Sequence, residues 1–308
     1  MSVRDKQMDG IKFVLILLVV FGHMTHPEYN LDVYKYIYAF HMPTFVFLSG
    51  FFSSRTVNVD KMLEWTKKML LIYVLSQSVL NVISYLCGEN ISMSRWVCIT
   101  PKFTLWYLIS LVIWRLFFRF VFNKINLIFL LVLSIVFASI AGFIPIGQPL
   151  SFQRTLVFFP LFILGYIFKE YKLVDLLDKL RLLLCVVTFI LCLCISYYFP
   201  IFIPEQPYAN FSEIVVRFSQ LVIGAIMALA IIRLLRIPVI EKFSSFGQYT
   251  LWVFLGHSFI IVMQNKLLKM MDVKMNEILA VCLACFYVGL ITSIAILWER
   301  HLIKSNKS

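Results

Sequence analysis

Asp9, Lys12 and His23 stand in the first apolar run of the chain, DGIKFVLILLVVFGHMTH, among neighbours of the kind that lipid accepts and charge does not. Asp9 and Lys12 are three residues apart, which on a helix puts them on one face within pairing reach. His23 follows Lys12 by close to three whole turns, so the two share a face and lie about 16 Å apart along the axis. A helix here joins a basic entrance at one end to a histidine most of the way across. The second apolar run, KYIYAFHMPTFVFLSGFFSS, carries His41 with Pro43 just beyond it. Pro43 removes a backbone donor and disturbs the preceding turn, which is tolerated where protein or a cavity satisfies the freed carbonyl. A short connection makes the two runs antiparallel neighbours, so His23 and His41 can lie at similar depth. Two neutral imidazoles at one cavity can pass a proton between a hydroxyl and a leaving group, because their unperturbed pKa lies near neutrality.

Two further ionisable groups are open to more than one reading. His257, in FGQYTLWVFLGHSF, can hydrogen-bond a neighbouring helix or belong to the site. Arg154, in SFQRTLVFFPLFILGYIF, can snorkel to the interface or donate to an oxyanion or a sugar. Arg115 and Arg119, one turn apart, read as snorkelling residues. An ionisable group inside a membrane span is expensive and is a functional candidate for that reason.

The elements that must position these groups follow from composition. Of 308 residues, 61 % are hydrophobic and 14 % charged, against about 25 % charged in an ordinary soluble domain. That balance excludes a soluble enzyme and indicates one membrane-embedded domain over residues 1–308. A hydrocarbon core needs about 20 apolar helical residues per crossing. Spans are accordingly placed at 10–26, 35–53, 69–87, 103–122 and 125–144, then at 153–169, 182–200, 214–235, 247–265 and 277–298. The expected fold is all-α, with about ten transmembrane helices and both termini on one side. Of the 28 lysines and arginines, 20 fall at the termini and alternate loops and 8 in the other loops, which puts both termini in the cytoplasm.

Asp5 and Asp9 break the positive segment a signal peptide would need, so the first span is expected to be retained. The net charge of +12 is scattered between apolar runs rather than gathered in a patch, which argues against a nucleic-acid partner. The seven cysteines show no metal-ligand spacing, and no metal is expected. Cys185, Cys192, Cys194, Cys282 and Cys285 read as small hydrophobes within apolar runs. Cys87 and Cys98, in or beside one outer loop, are in position to pair in an oxidising compartment.

The motif DGIK at 9–12 with FGH at 21–23 resembles the first-helix signature of acyltransferase family 3, integral-membrane enzymes that O-acylate surface sugars. FHMPTFVFLSGFF (40–52), TLWYL (104–108), RTLVFFPLFILGY (154–166) and YTLWVFLGH (249–257) resemble further blocks of its fucose 4-O-acetylase-like branch, in order along nearly the whole chain. The resemblance implies a ten-helix core in a bacterial cytoplasmic membrane. It also implies acetyl-CoA as cytoplasmic acyl donor and a sugar or polysaccharide hydroxyl as acceptor on the far side. On this reading His23 is the essential histidine, either accepting the acetyl group or deprotonating the hydroxyl. His41 and Arg154 orient the acceptor or stabilise the tetrahedral intermediate. Lys12, held by Asp9, draws in the CoA phosphates with Lys67 and Lys68, which match the start of a basic motif in WTKKMLLIY. That motif's later arginine is absent, since Leu70 and Leu71 follow Met69. Trp106 and His257 fall in blocks that would contact substrate. No appended soluble hydrolase-like domain is visible, so transfer is expected to finish within the membrane. The alternative that the residues also permit is a proton-coupled carrier or polysaccharide exporter.

Overall fold

A computed structural model describes residues 5–25, 31–121, 124–144, 149–201 and 203–305, and among these every regular element is helical. In chain order the first helices are α1 (Lys6–Met24), α2 (Leu31–Phe51), α3 (Val59–Leu86), the short α4 (Met93–Trp96), α5 (Trp106–Phe120) and α6 (Leu127–Ile140). They are followed by α7 (Phe152–Glu170), the short α8 (Val174–Asp178), α9 (Leu182–Tyr197), α10 (Ser212–Leu235), α11 (Thr250–Met270) and α12 (Glu277–Ser305). Among the described residues, seven helical stretches are long and apolar enough to cross a membrane. Leu127–Phe143 and Leu182–Tyr197 are apolar but shorter.

Local chemistry explains where several helices start. Asp5 caps α1 by accepting from the Met8 amide at 3.1 Å. Asn58 and Asn126 do the same for α3 and α6, each accepting from two first-turn amides. Most helices end within about five residues of the apolar runs, with two exceptions. Helix α12 continues to Ser305, past the expected end at 298. Helix α3 starts at Val59, ten residues before the expected 69, so Lys67 and Lys68 lie inside it rather than ahead of it. The reason is amphipathicity. Met62, Thr66 and Met69 form a buried stripe, while Asp60, Lys61, Glu64, Lys67 and Lys68 face outward, so a hydropathy average hides the first turns. His26 lies outside the described residues.

The chain divides into two compact units, one of residues 1–37 with 235–308, the other of residues 38–234. In the first, α1 packs against α11, α12 and the 3-10 segments Pro238–Phe243 and Gly247–Tyr249. Phe13 of α1 meets Phe243 and Phe246 at ring-centroid distances of 6.0 and 5.3 Å.

In the second unit the crossing of α2 and α7 is as close as backbones allow. A Cβ on Gly50 would lie 1.8 Å from the Phe162 carbonyl oxygen, and one on Gly165 would lie 1.8 Å from that of Phe47. Such small residues let helices approach in lipid, where packing replaces the hydrophobic drive. Along α2, Thr44 donates to the Phe40 carbonyl, Ser49 to Phe45 and Ser53 to Ser49, each at 2.7 Å, so these hydroxyls are satisfied inside their own helix.

Gly50→Ala is expected to destabilise the protein by about 1–3 kcal/mol through overpacking. Its thermal midpoint in detergent should fall, whereas Gly289→Ala, where a Cβ meets nothing within 4 Å, should leave the midpoint unchanged.

Candidate active site

In the first unit, α1 presents its ionisable residues at its two ends. Lys12 Nζ lies 3.1 Å from Asp9 Oδ1, and Asp9 is buried at 3 % exposure. A Cβ on Gly247 would lie 2.4 Å from the Asp9 carbonyl oxygen, so the 247–249 turn packs directly against the Asp9 backbone. Tyr249 then donates its hydroxyl to the Glu299 carboxylate, tying that turn to α12.

At the other end of α1, in its last turn, the His23 ring lies 5.6 Å from that of His257 at an interplanar angle of 31°. His257 is fully buried, and its Nδ1 lies 2.9 Å from the Val253 carbonyl oxygen. A carbonyl can only accept, so Nδ1 carries a proton. His23 is partly exposed. The pair therefore consists of a ring whose Nδ1–H is committed to the backbone beside a ring that is partly exposed, an arrangement suited to moving protons.

In the second unit, His41 is fully buried on α2, with its ring edge-on to Tyr38 at 4.7 Å. Arg154, in the first turn of α7, pairs with the Glu205 carboxylate, and its guanidinium lies 5.1 Å over the Trp106 ring. Trp106 stacks in turn on Phe158 at 5.3 Å. Trp106 thus forms the floor under Arg154. Lys67 and Lys68 are exposed on α3.

A set of cations, of which the sequence singled out only Arg115 and Arg119 as snorkelling residues, gathers around the 53–57 segment. Arg115 donates to Ser53 Oγ at 3.3 Å and lies 4.4 Å over the Trp65 ring. Arg119 donates to the Val57 carbonyl at 2.8 Å, and Lys169 to that of Ser53 at 2.8 Å. Arg55 donates to the Ile125 carbonyl at 3.2 Å and lies 4.7 Å over the Phe118 ring. Burial lowers the Arg55 pKa from its ordinary value, against the pull of Tyr166 and Glu170. Hydropathy alone could not group them, because they come from two helices, α5 and α7, and a loop.

Glu205 lies in the Pro-rich stretch PIFIPEQPYANFSE, residues 200–213. Its distance along the chain from Arg154 carried no signal that the two meet. Cys87 and Cys98 are both free thiols, and burial pushes the Cys98 thiol up. Among the described residues no group of three or more His, Cys, Asp or Glu side chains is placed to hold a metal ion.

The Arg154–Glu205 pair yields a prediction. The Glu205 side chain is 11 % exposed and that of Arg154 28 %. Removing either charge alone strands the other in a partly buried setting, at a cost of up to about 3–5 kcal/mol. Arg154→Gln and Glu205→Gln should each lower the thermal midpoint more than the double variant does, as a double-mutant cycle in detergent would measure.

A family model described as an acyltransferase domain, Acyl_transf_3, matches residues 5–298, nearly the whole chain and both units. No curated protein and no solved structure matches the chain. With its apolar helices and this match, the chain belongs to acyltransferase family 3 and is a membrane acyltransferase.

Proposed function

We propose that the protein is an O-acetyltransferase of a bacterial cytoplasmic membrane. It moves an acetyl group from cytoplasmic acetyl-CoA to a hydroxyl of a surface or lipid-linked sugar on the opposite side. The ten spans read from the sequence form one catalytic domain with both termini in the cytoplasm. The observation that carries the reading is the layout of α1, with an Asp9–Lys12 pair at one end and the His23–His257 pair at the other. About 16 Å of rise separates Lys12 from His23, so a long donor can be held at one end while its acyl group reaches the other.

In this mechanism Lys12, fixed by Asp9 and assisted by Lys67 and Lys68, holds the CoA phosphates as point charges. His23 then acts in one of two ways. As a base it takes the proton of the acceptor hydroxyl while the oxygen attacks the thioester carbonyl. The C–S bond breaks and the thiolate leaves as CoA after receiving that proton. As a nucleophile its imidazole attacks the thioester carbonyl, the C–S bond breaks and CoA leaves as the thiolate; in a second step the hydroxyl takes the acetyl group from the imidazole and gives up its proton to the regenerated ring. In either case His257, with Nδ1–H committed to the Val253 carbonyl, presents Nε2 as a proton acceptor beside His23. His41 and Arg154 orient the acceptor or stabilise the developing oxyanion, as preorganised donors do.

His23→Ala is expected to abolish transfer at normal protein levels. Proton NMR of whole-cell glycans before and after mild base should show an ester acetyl signal in the wild type and none in the variant. Identical spectra in both strains would overturn the mechanism and favour the carrier reading. Lys12→Gln should raise the KM for acetyl-CoA about tenfold with a smaller change in kcat, the pattern of lost ground-state binding, as steady-state CoA release on membranes would show.

A further inference from the structure

A second built site lies in the unit of residues 38–234. The starts of α5 and α7, α4 and the loop residue Glu205 border an open cavity of about 140 Å³. Arg95, Phe103, Trp106, Ser151, Arg154 and Glu205 line it.

Its rim is strained and held. Cys98, Phe103, Leu150 and Ser151 have φ of 62°, 55°, 48° and 55°, the left-handed region that side chains other than glycine avoid. Each costs about 1–3 kcal/mol and persists only where the surroundings impose it. Here they do. Gln77 is fully buried on α3, donates to the carbonyls of Arg95 and Thr100 at 3.1 and 2.9 Å, and accepts from the Lys102 amide at 2.9 Å. Asn81, also fully buried, donates to the Arg95 carbonyl at 2.9 Å. Tyr73 holds the Cys98 carbonyl at 2.6 Å, and the Leu150 amide holds that of Ile99 at 2.7 Å. Strain fixed in this way is found at ligand clamps.

Charge decides what the cavity would take. Lys102 is neutralised by Glu89 at 2.5 Å, and Arg154 by Glu205. Arg95 is half-buried at the cavity wall and enters no ion pair among the described residues, which leaves one uncompensated guanidinium. Glu205 Oε2 is buried and accepts no hydrogen bond. The cavity thus offers one free cationic donor, one free carboxylate acceptor, the Ser151 residue and the Phe103 ring.

We infer that this cavity is the acceptor subsite and that the acceptor is an anionic sugar. Its carboxylate or phosphate meets Arg95, its hydroxyls meet Glu205 and Ser151, and its apolar face meets Phe103. The inference rests on the acetyl-transfer reading above.

Saturation-transfer NMR tests it on the full-length protein in neutral-lipid nanodiscs, with methyl glucuronide, methyl glucoside and glucose 1-phosphate as probes. One charge-assisted hydrogen bond supplies about a tenfold preference or more. The anionic probes should therefore bind at least about tenfold tighter than methyl glucoside, and the tighter of the two distinguishes a carboxylate from a phosphate acceptor. Arg95→Gln should abolish the preference and Arg95→Lys should keep most of it. Equal or undetectable binding of all three probes to the wild type overturns the inference, as does a preference that survives in Arg95→Gln. Acetyl-CoA turnover on cell glycan, measured on the same samples, separates the two proposals. Turnover without charge preference removes the anionic subsite alone, whereas preference without turnover removes acetyl transfer and leaves an anionic-sugar site.

Discussion

A polar group carried into a membrane finds no water, so it must find a partner in its own protein or forfeit several kcal/mol. That constraint accounts for most of the side-chain placements described above. Hydroxyls on α2 turn back onto carbonyls of the same helix. Trp114, fully buried, donates its indole N–H to the Thr155 carbonyl at 2.8 Å. Buried Ser110 and Thr155 bond each other at 2.7 Å, and Ser49 meets Tyr107 at 2.5 Å. Against this background of pairing, the groups that face one another without being consumed by the backbone are the informative ones.

In the first unit those groups are set by α1. Its two ends are anchored by different means, the Asp9 backbone packed against the 247–249 turn and a histidine packed on a second histidine. Because α1 is a continuous helix capped by Asp5, the spacing between the ends is fixed by helical rise rather than by loop geometry. A site whose parts are mounted on one rigid element holds its geometry better than one assembled from loops. The second unit works the other way. There most of the functional candidates sit at helix starts and in the connections beside them, and buried amides on α3 hold the backbone of residues 95–102. Gln77 uses both ends of its side-chain amide on three backbone partners, which makes an otherwise irregular loop as determinate as a helix.

What the sequence disclosed follows from the range of its signals. Helix existence was legible because apolar runs of this length have one solution in lipid, and the Asp9–Lys12 pairing was legible because it is local. The start of α3 was not, since its first turns are amphipathic and average out as polar. Among long-range partners the sequence supplied residues without their pairings. It suggested His41 for His23 and left open whether His257 belongs to the site; within its own unit the ring packed on His23 is that of His257. It singled out Arg154 and Trp106 separately, and their stacking, with Glu205 closing over the guanidinium, needed the fold. Arg95 gave no signal at all, because its significance lies in the charges around it being already matched.

The central claim is that acyl chemistry, and not transport alone, takes place on this chain. Acetyl-CoA labelled with carbon-13 in the acetyl group, supplied to the cytoplasmic face of inverted membrane vesicles, tests it most directly. The label should appear as a base-labile ester on glycan of the opposite face. Label that stays with CoA, while glycan crosses unmodified, would contradict it.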